Sequence, residues 1–136
     1  AADSNICRNY KLLTSIKGVG PITAIVMLCS TLNFTKITDH RKFACYCGLA
    51  PFEHSSGTSV RGGCHTSSMA NRDIKVQLNR SALIAIRCDP QLKAYYERKV
   101  AEGKHKFSVL NAVRAKIAAR CFAVVRRGTP YVALQI

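Results

Sequence analysis

The stretch Gly48 to Gly57, GLAPFEHSSG, sets two hydroxyls, Ser55 and Ser56, directly before a glycine. A serine hydroxyl is a weak nucleophile until a neighbouring base or metal takes its proton. His54 is adjacent, His65 lies nine residues beyond Ser56, and Glu53 offers a carboxylate. A turn ending in Gly57 would let a phosphodiester come close to either hydroxyl, so the chemistry open to this loop is attack on phosphorus. Ser, Gly and His are equally common in polar surface loops, and that reading stays open beside the first.

Metal-assisted phosphodiester chemistry needs several carboxylates converging on two ions. The acids here, Asp3, Asp39, Glu53, Asp73, Asp89, Glu97 and Glu102, are scattered, and Asp39 and Asp89 stand where helix caps are expected. The chain is therefore expected to hold neither metal nor other cofactor of its own. Cys45, Cys47, Cys64 and His65 lack the usual ligand spacing of a zinc site. Seven cysteines, an odd number at irregular spacings, read as small hydrophobes in a reduced, cytosolic chain.

Lysine and arginine number 21 against 7 acids, a formal charge of +14. That imbalance calls for a polyanion, DNA or RNA before a membrane surface. No apolar window approaches a membrane span. With 136 residues, 48% of them hydrophobic, the chain can bury one core and is expected to form a single domain over 1–136. Its start, AADSNICRNY, has no signal-peptide pattern and reads as a cut point in a longer chain.

The elements that must position the serines are helices, and the expected fold class is all-α, a compact helical domain. Asn5–Ile16 and Ile22–Leu32 read as two short helices around Lys17–Pro21, a hairpin over about 5–32. Pro21 suits a first helical turn, and Gly18 and Gly20 permit conformations that other residues resist. Asp39 or Thr38 can cap a third helix ending near Cys47. Residues 48–67, rich in Gly, Ser and Thr, should be a long irregular loop. A helical core follows over about 68–128. It starts with a helix from Ser68 to Arg87 whose core face is Ile74, Leu78, Ala82 and Ala85. A second, capped by Asp89 with Pro90 in its first turn, ends near Glu102. The last runs from Phe107 to Arg127, with Leu110, Val113, Ile117, Cys121 and Val124 inward, and Gly128 stops it.

Helix, Gly-x-Gly turn and helix resemble the helix-hairpin-helix motif of DNA repair and recombination proteins. Backbone amides at such a turn and the positive end of the second helix both favour a phosphate oxygen. Lys17, Gly18, Val19 and Gly20 are the expected contacts there. Arg61 in the serine loop, Arg72 and Lys75 on the central helix, and Lys116 and Arg120 on the last helix are the further DNA-binding residues expected. Arg114 falls inside an apolar stripe, where it either snorkels outwards or turns a buried guanidinium towards the loop.

The order of motifs resembles the C-terminal domain of insertion-sequence transposases related to the Piv DNA invertase. It runs hairpin, GLAP with SSG after it, NRDIKVQL from Asn71 to Leu78, YYER, GK, and a basic helix before GTPY, covering about Tyr10 to Tyr131. The chain departs from the family's Lys-x-Gly-Asn at Ser68 and Ala70, has Lys75 where Arg is common, and adds Cys64-His65. The resemblance implies a domain that supplies a catalytic serine, Ser56 with Ser55 as fallback, which forms a transient phosphoserine link to DNA. It also implies an N-terminal RNase H-like domain of the same chain carrying the carboxylates, with Mg2+ in the full-length protein. Homo-oligomerisation, a guide RNA as further partner, and a cytoplasmic, nucleoid-associated place in a bacterium complete the expectation. The competing reading is a non-catalytic helix-hairpin-helix module that binds DNA or structured RNA.

Overall fold

The computed structural model describes residues 2–47 and 68–132. These form six helices: α1 (Ala2–Thr14), α2 (Pro21–Ser30), α3 (His40–Tyr46), α4 (Ser68–Cys88), α5 (Pro90–Ala101) and α6 (Lys106–Arg127). The expected all-α class holds among the described residues, and the boundaries read from sequence fall within about two residues of these, except that α1 starts at Ala2, three residues before the expected Asn5. No helix among them is long and apolar enough to cross a membrane.

Local chemistry sets most of the ends. Pro21 opens α2 at a position whose N–H would have no helical partner. Asp39 caps α3, its Oδ1 accepting from Arg41 N at 3.1 Å. Asp89 caps α5 by accepting from Gln91 N at 2.9 Å. After α5, Lys104 N donates to Lys99 O at 3.1 Å and Gly103 N to Val100 O at 3.0 Å. This Schellman pattern needs the left-handed φ of +97° at Gly103. Gly128, at φ +74°, stops α6.

α2 ends two residues before the expected Leu32. Thr31 Oγ1 donates back to Met27 O at 2.7 Å and accepts from Phe34 N at 2.9 Å. Leu32, Asn33 and Phe34 are then all left-handed, at φ 50°, 57° and 62°, a conformation that side chains resist. Two tertiary contacts hold it. Asn33 Oδ1 accepts from Asn9 Nδ2 at 2.8 Å, and the Phe34 ring meets Phe122 edge-on at 4.9 Å.

α4 is the central element, packed against α2, α5 and α6. Its Ile74, Leu78, Ala82 and Ala85 are all buried, as their spacing predicts, and so are Val113, Ile117, Cys121 and Val124 of α6. Leu110 lies at the edge of that core, half-buried. Leu12, Leu13 and Ile16, then Ala24, Met27 and Leu28, bring the first two helices into the same cluster. Full burial of such an aliphatic side chain is worth about 1.5–3 kcal/mol.

Candidate functional site

The turn between α1 and α2 is fastened to α4 by small atoms. A Cβ built on Gly18 would lie 2.7 Å from Ser81 O and 3.1 Å from Ala85 Cβ. Beside it, the Thr23 and Ser81 hydroxyls share a buried hydrogen bond of 3.0 Å. Gly18, at φ +96°, is thus glycine for close packing on α4 as well as for its backbone. Gly20 differs from expectation: its φ of −94° is open to any residue, and a Cβ there meets nothing within 4 Å.

Two short hydrogen-bonded turns wind this segment, with Ile16 N donating to Leu13 O at 3.1 Å and Val19 N to Ile16 O at 3.0 Å. The N–H groups of Gly18, Gly20 and Ile22 have no acceptor among the described residues. Gly20 and Ile22 flank the N-terminus of α2, where uncompensated amides favour an anion. Lys17 is exposed at the same turn. Val19, expected among the contacts, is a core residue at 5% exposure whose N–H is already engaged.

A chain of contacts runs from α5 to this turn. Arg120 Nη1 donates to Asp89 Oδ2 at 2.6 Å and Nη2 to Gln91 Oε1 at 3.0 Å. The guanidinium lies over the Tyr131 ring, 4.8 Å from its centre, and Tyr131 N donates to Ser15 Oγ at 2.8 Å. Arg120 was expected to face phosphate, but its side chain is only 15% exposed and Asp89 already neutralises it. It joins the end of the chain to the hairpin. Lys116, one turn earlier, is exposed and holds its Nζ 4.6 Å over the Tyr95 ring.

Arg72 and Lys75 are exposed in the first turns of α4, but not beside the hairpin. Arg72 precedes Ser81 by about two and a half turns, roughly 13 Å, and lies about 180° from it around the helix. Both residues follow closely on segment 48–67. Arg114 marks the other entry to that segment. Its Nε is buried with no acceptor among the described residues. Burial holds its pKa below the ordinary value, and the charge of Cys47 offsets part of that. Arg114 as a whole is half-buried, close enough to the end of α3 for Cys47 to act on it electrostatically. Ser55, Ser56, Arg61, Cys64 and His65 lie outside the described residues.

The described acids are dispersed over the helices. Asp39 and Asp89 cap helices, Glu102 pairs with Lys99 at 3.5 Å, and no three metal-ligating side chains converge among the described residues. Sequence reasoning missed the contribution of Ser81 and Tyr131 to the hairpin. A small residue amid an apolar helix face was the available signal for Ser81.

Comparison with known proteins identifies the family. The pattern of the Transposase IS116/IS110/IS902 family matches residues 10–97. An uncharacterized 43.6 kDa protein of insertion element IS110 from Streptomyces coelicolor is 39% identical over 121 residues, 88% of this chain and 29% of its own. The pilin gene-inverting protein of Moraxella lacunata is 26% identical over 126 residues, 90% of this chain and 39% of its own. An uncharacterized 42 kDa protein of insertion element IS900 from Mycobacterium paratuberculosis is 30% identical over 112 residues, 81% of this chain and 28% of its own. This chain thus spans about a third of the length of the relatives it matches. It belongs to the IS116/IS110/IS902 family of transposases.

Proposed function

We propose that this chain is the DNA-binding and serine-nucleophile part of a transposase, acting with an RNase H-like domain elsewhere in the full-length protein. The observation that carries the proposal is a hairpin whose amides at Gly18, Gly20 and Ile22 have no acceptor among the described residues, with an exposed Lys17, packed closely on α4 in a member of a transposase family. Its partner is DNA, bound at the hairpin through phosphates alone and so without base preference. A relative named for pilin gene inversion supports strand exchange as the overall reaction.

Arg72 and Lys75, with Arg61, supply phosphate contacts around the serine segment, and Lys116 extends the basic surface along α6. Val19 and Arg120 take no direct part. Ser56 is the nucleophile. Its hydroxyl loses a proton, Oγ bonds to phosphorus, and one backbone P–O bond breaks, freeing a hydroxyl on the departing strand end. Reversal onto another strand restores the serine. Mg2+ held by the other domain's carboxylates would assist proton removal and neutralise charge on the phosphoryl oxygens. The full-length protein acts as a homo-oligomer, and a guide RNA is a further partner.

The test is to trap a covalent protein–DNA adduct in the full-length protein and locate it by peptide mass. An adduct on Ser56, lost in Ser56→Ala and kept in Ser55→Ala, is the expected result. An adduct on Ser55 would shift the nucleophile by one residue. Recombination that survives both substitutions would leave a binding module.

A further inference from the structure

We infer that the α5–α6 junction is a second nucleic-acid site, one that holds an unpaired base of single-stranded DNA. It lies apart from the hairpin and goes beyond the duplex phosphate contacts proposed for it. Between the end of α5, the start of α6 and the middle of α4 is an open groove of about 610 Å³. That volume is in the range of small-ligand sites and suits a base with its sugar.

The groove has an apolar floor formed by Leu83, Tyr96, Val100 and Leu110. At its rim stands Phe107, which is 72% exposed. An exposed phenyl ring gains nothing for the fold, since its apolar area stays in water. It is nevertheless held in place. His105 Nδ1 accepts from Phe107 N at 3.2 Å, and the His105 and Phe107 rings stack with centres 5.4 Å apart and planes 23° from parallel. The pair therefore presents a flat aromatic platform from a short connector whose course Gly103 sets. Lys104 and Lys106, both exposed, flank it.

Among the described residues no acid lines the groove, and the nearby Glu102 is engaged by Lys99. A flat π-surface over an apolar floor, bracketed by two uncompensated cations, matches a nucleotide part by part. The base stacks on Phe107 and reaches the floor, while the flanking phosphates meet Lys104 and Lys106. A second copy of this chain, at +14, would bring like charge to the same rim. Recombination must part the strands of its DNA at the crossover, so unpaired bases arise where this protein works.

The experiment measures affinity of the intact protein for dT15, for a blunt duplex and for rU15 at fixed salt. Phe107→Ala should weaken dT15 about tenfold and change duplex affinity less than twofold. Phe107→Trp should keep dT15 affinity, with its emission quenched on binding. Replacing Lys104 and Lys106 by Gln should lower the slope of log K against log salt for dT15 by about 1.4. Phe107 is exposed, so each variant should retain the circular dichroism and melting of the parent. Unchanged dT15 affinity in Phe107→Ala, equal losses for dT15 and duplex, or no quenching in Phe107→Trp would overturn the site. A loss confined to rU15, or to an acidic helical peptide used as competitor, would show that the occupant is not single-stranded DNA. Failure of the hairpin reading would appear separately, in the duplex arm.

Discussion

Arg120 Nη1 and Asp89 Oδ2 lie 2.6 Å apart, with the carboxylate 2% exposed and the guanidinium 15% exposed. Asp89 has a second task, since its Oδ1 caps α5 through Gln91 N. One aspartate therefore fixes where α5 starts and how α6 lies against it. Arg120 in turn carries Tyr131, and Tyr131 reaches Ser15 at the hairpin.

Breaking that pair from either side should cost more than a surface ion pair does. Asp89→Ala leaves a largely buried guanidinium without its anion and removes a helix cap, for a combined loss of about 3–5 kcal/mol. Arg120→Ala strands the buried carboxylate and should cost about 3 kcal/mol. Urea denaturation of each variant checks this. A loss below about 1 kcal/mol in both would make the contact an ordinary surface pair.

Gly18 and Gly20 should separate cleanly on substitution. Gly18→Ala places a Cβ 2.7 Å from the backbone oxygen of Ser81 at a φ of +96°, so strain and overpacking together should cost about 3 kcal/mol. Gly20→Ala meets open space at an ordinary φ and should be neutral or stabilising by up to about 1 kcal/mol, through a less flexible unfolded chain. Thermal melts of the two variants are the measurement. Equal losses would mean that the turn does not bear on α4 as described.

That contrast also shows what the sequence discloses and what it hides. Asp39, Pro21, Asp89, Pro90 and Gly128 act on their own neighbours, so helix ends were legible from residue type alone. Gly18 meets α4 more than sixty residues on, and Asp89 meets Arg120 across 31. Those partners are set by packing, which no local pattern encodes. The same holds for Leu32–Phe34, where Leu reads as a helix former and the Phe34–Phe122 contact selects a left-handed turn instead. At the site, Lys17 was legible as an exposed charge. Val19 was read from the turn motif and Arg120 from its place on a helix face, and neither local pattern reports that Val19 packs into the core or that Asp89 covers Arg120.

Cys121 should make the fold sensitive to alkali. Complete burial pushes its thiol from 9.0 up to about 12. Ionisation is thus harder in the folded chain than in the unfolded one, and the unfolded chain binds fewer protons above pH 9. Stability should fall as pH rises from 9 towards 12, by up to about 1.4 kcal/mol per unit. Cys121→Val should flatten that part of the profile, as read from denaturation midpoints at pH 8, 9 and 10. A parallel decline in parent and variant would assign the alkaline loss to other groups.

Lys17 tests the hairpin without disturbing it. The side chain is exposed and makes no hydrogen bond or ion pair among the described residues, so Lys17→Gln should leave stability within about 0.5 kcal/mol. Duplex affinity should behave differently. A lysine that neutralises one phosphate releases one condensed counterion, so its loss should reduce the slope of log K against log salt by about 0.9. Lys93, exposed on α5 and absent from the proposed interface, is the matched control, because Lys93→Gln removes the same charge elsewhere. If both variants lowered the slope equally, binding would follow net charge alone. A change confined to Lys17→Gln places the duplex at the α1–α2 turn, where the amides of Gly20 and Ile22 would receive the same strand.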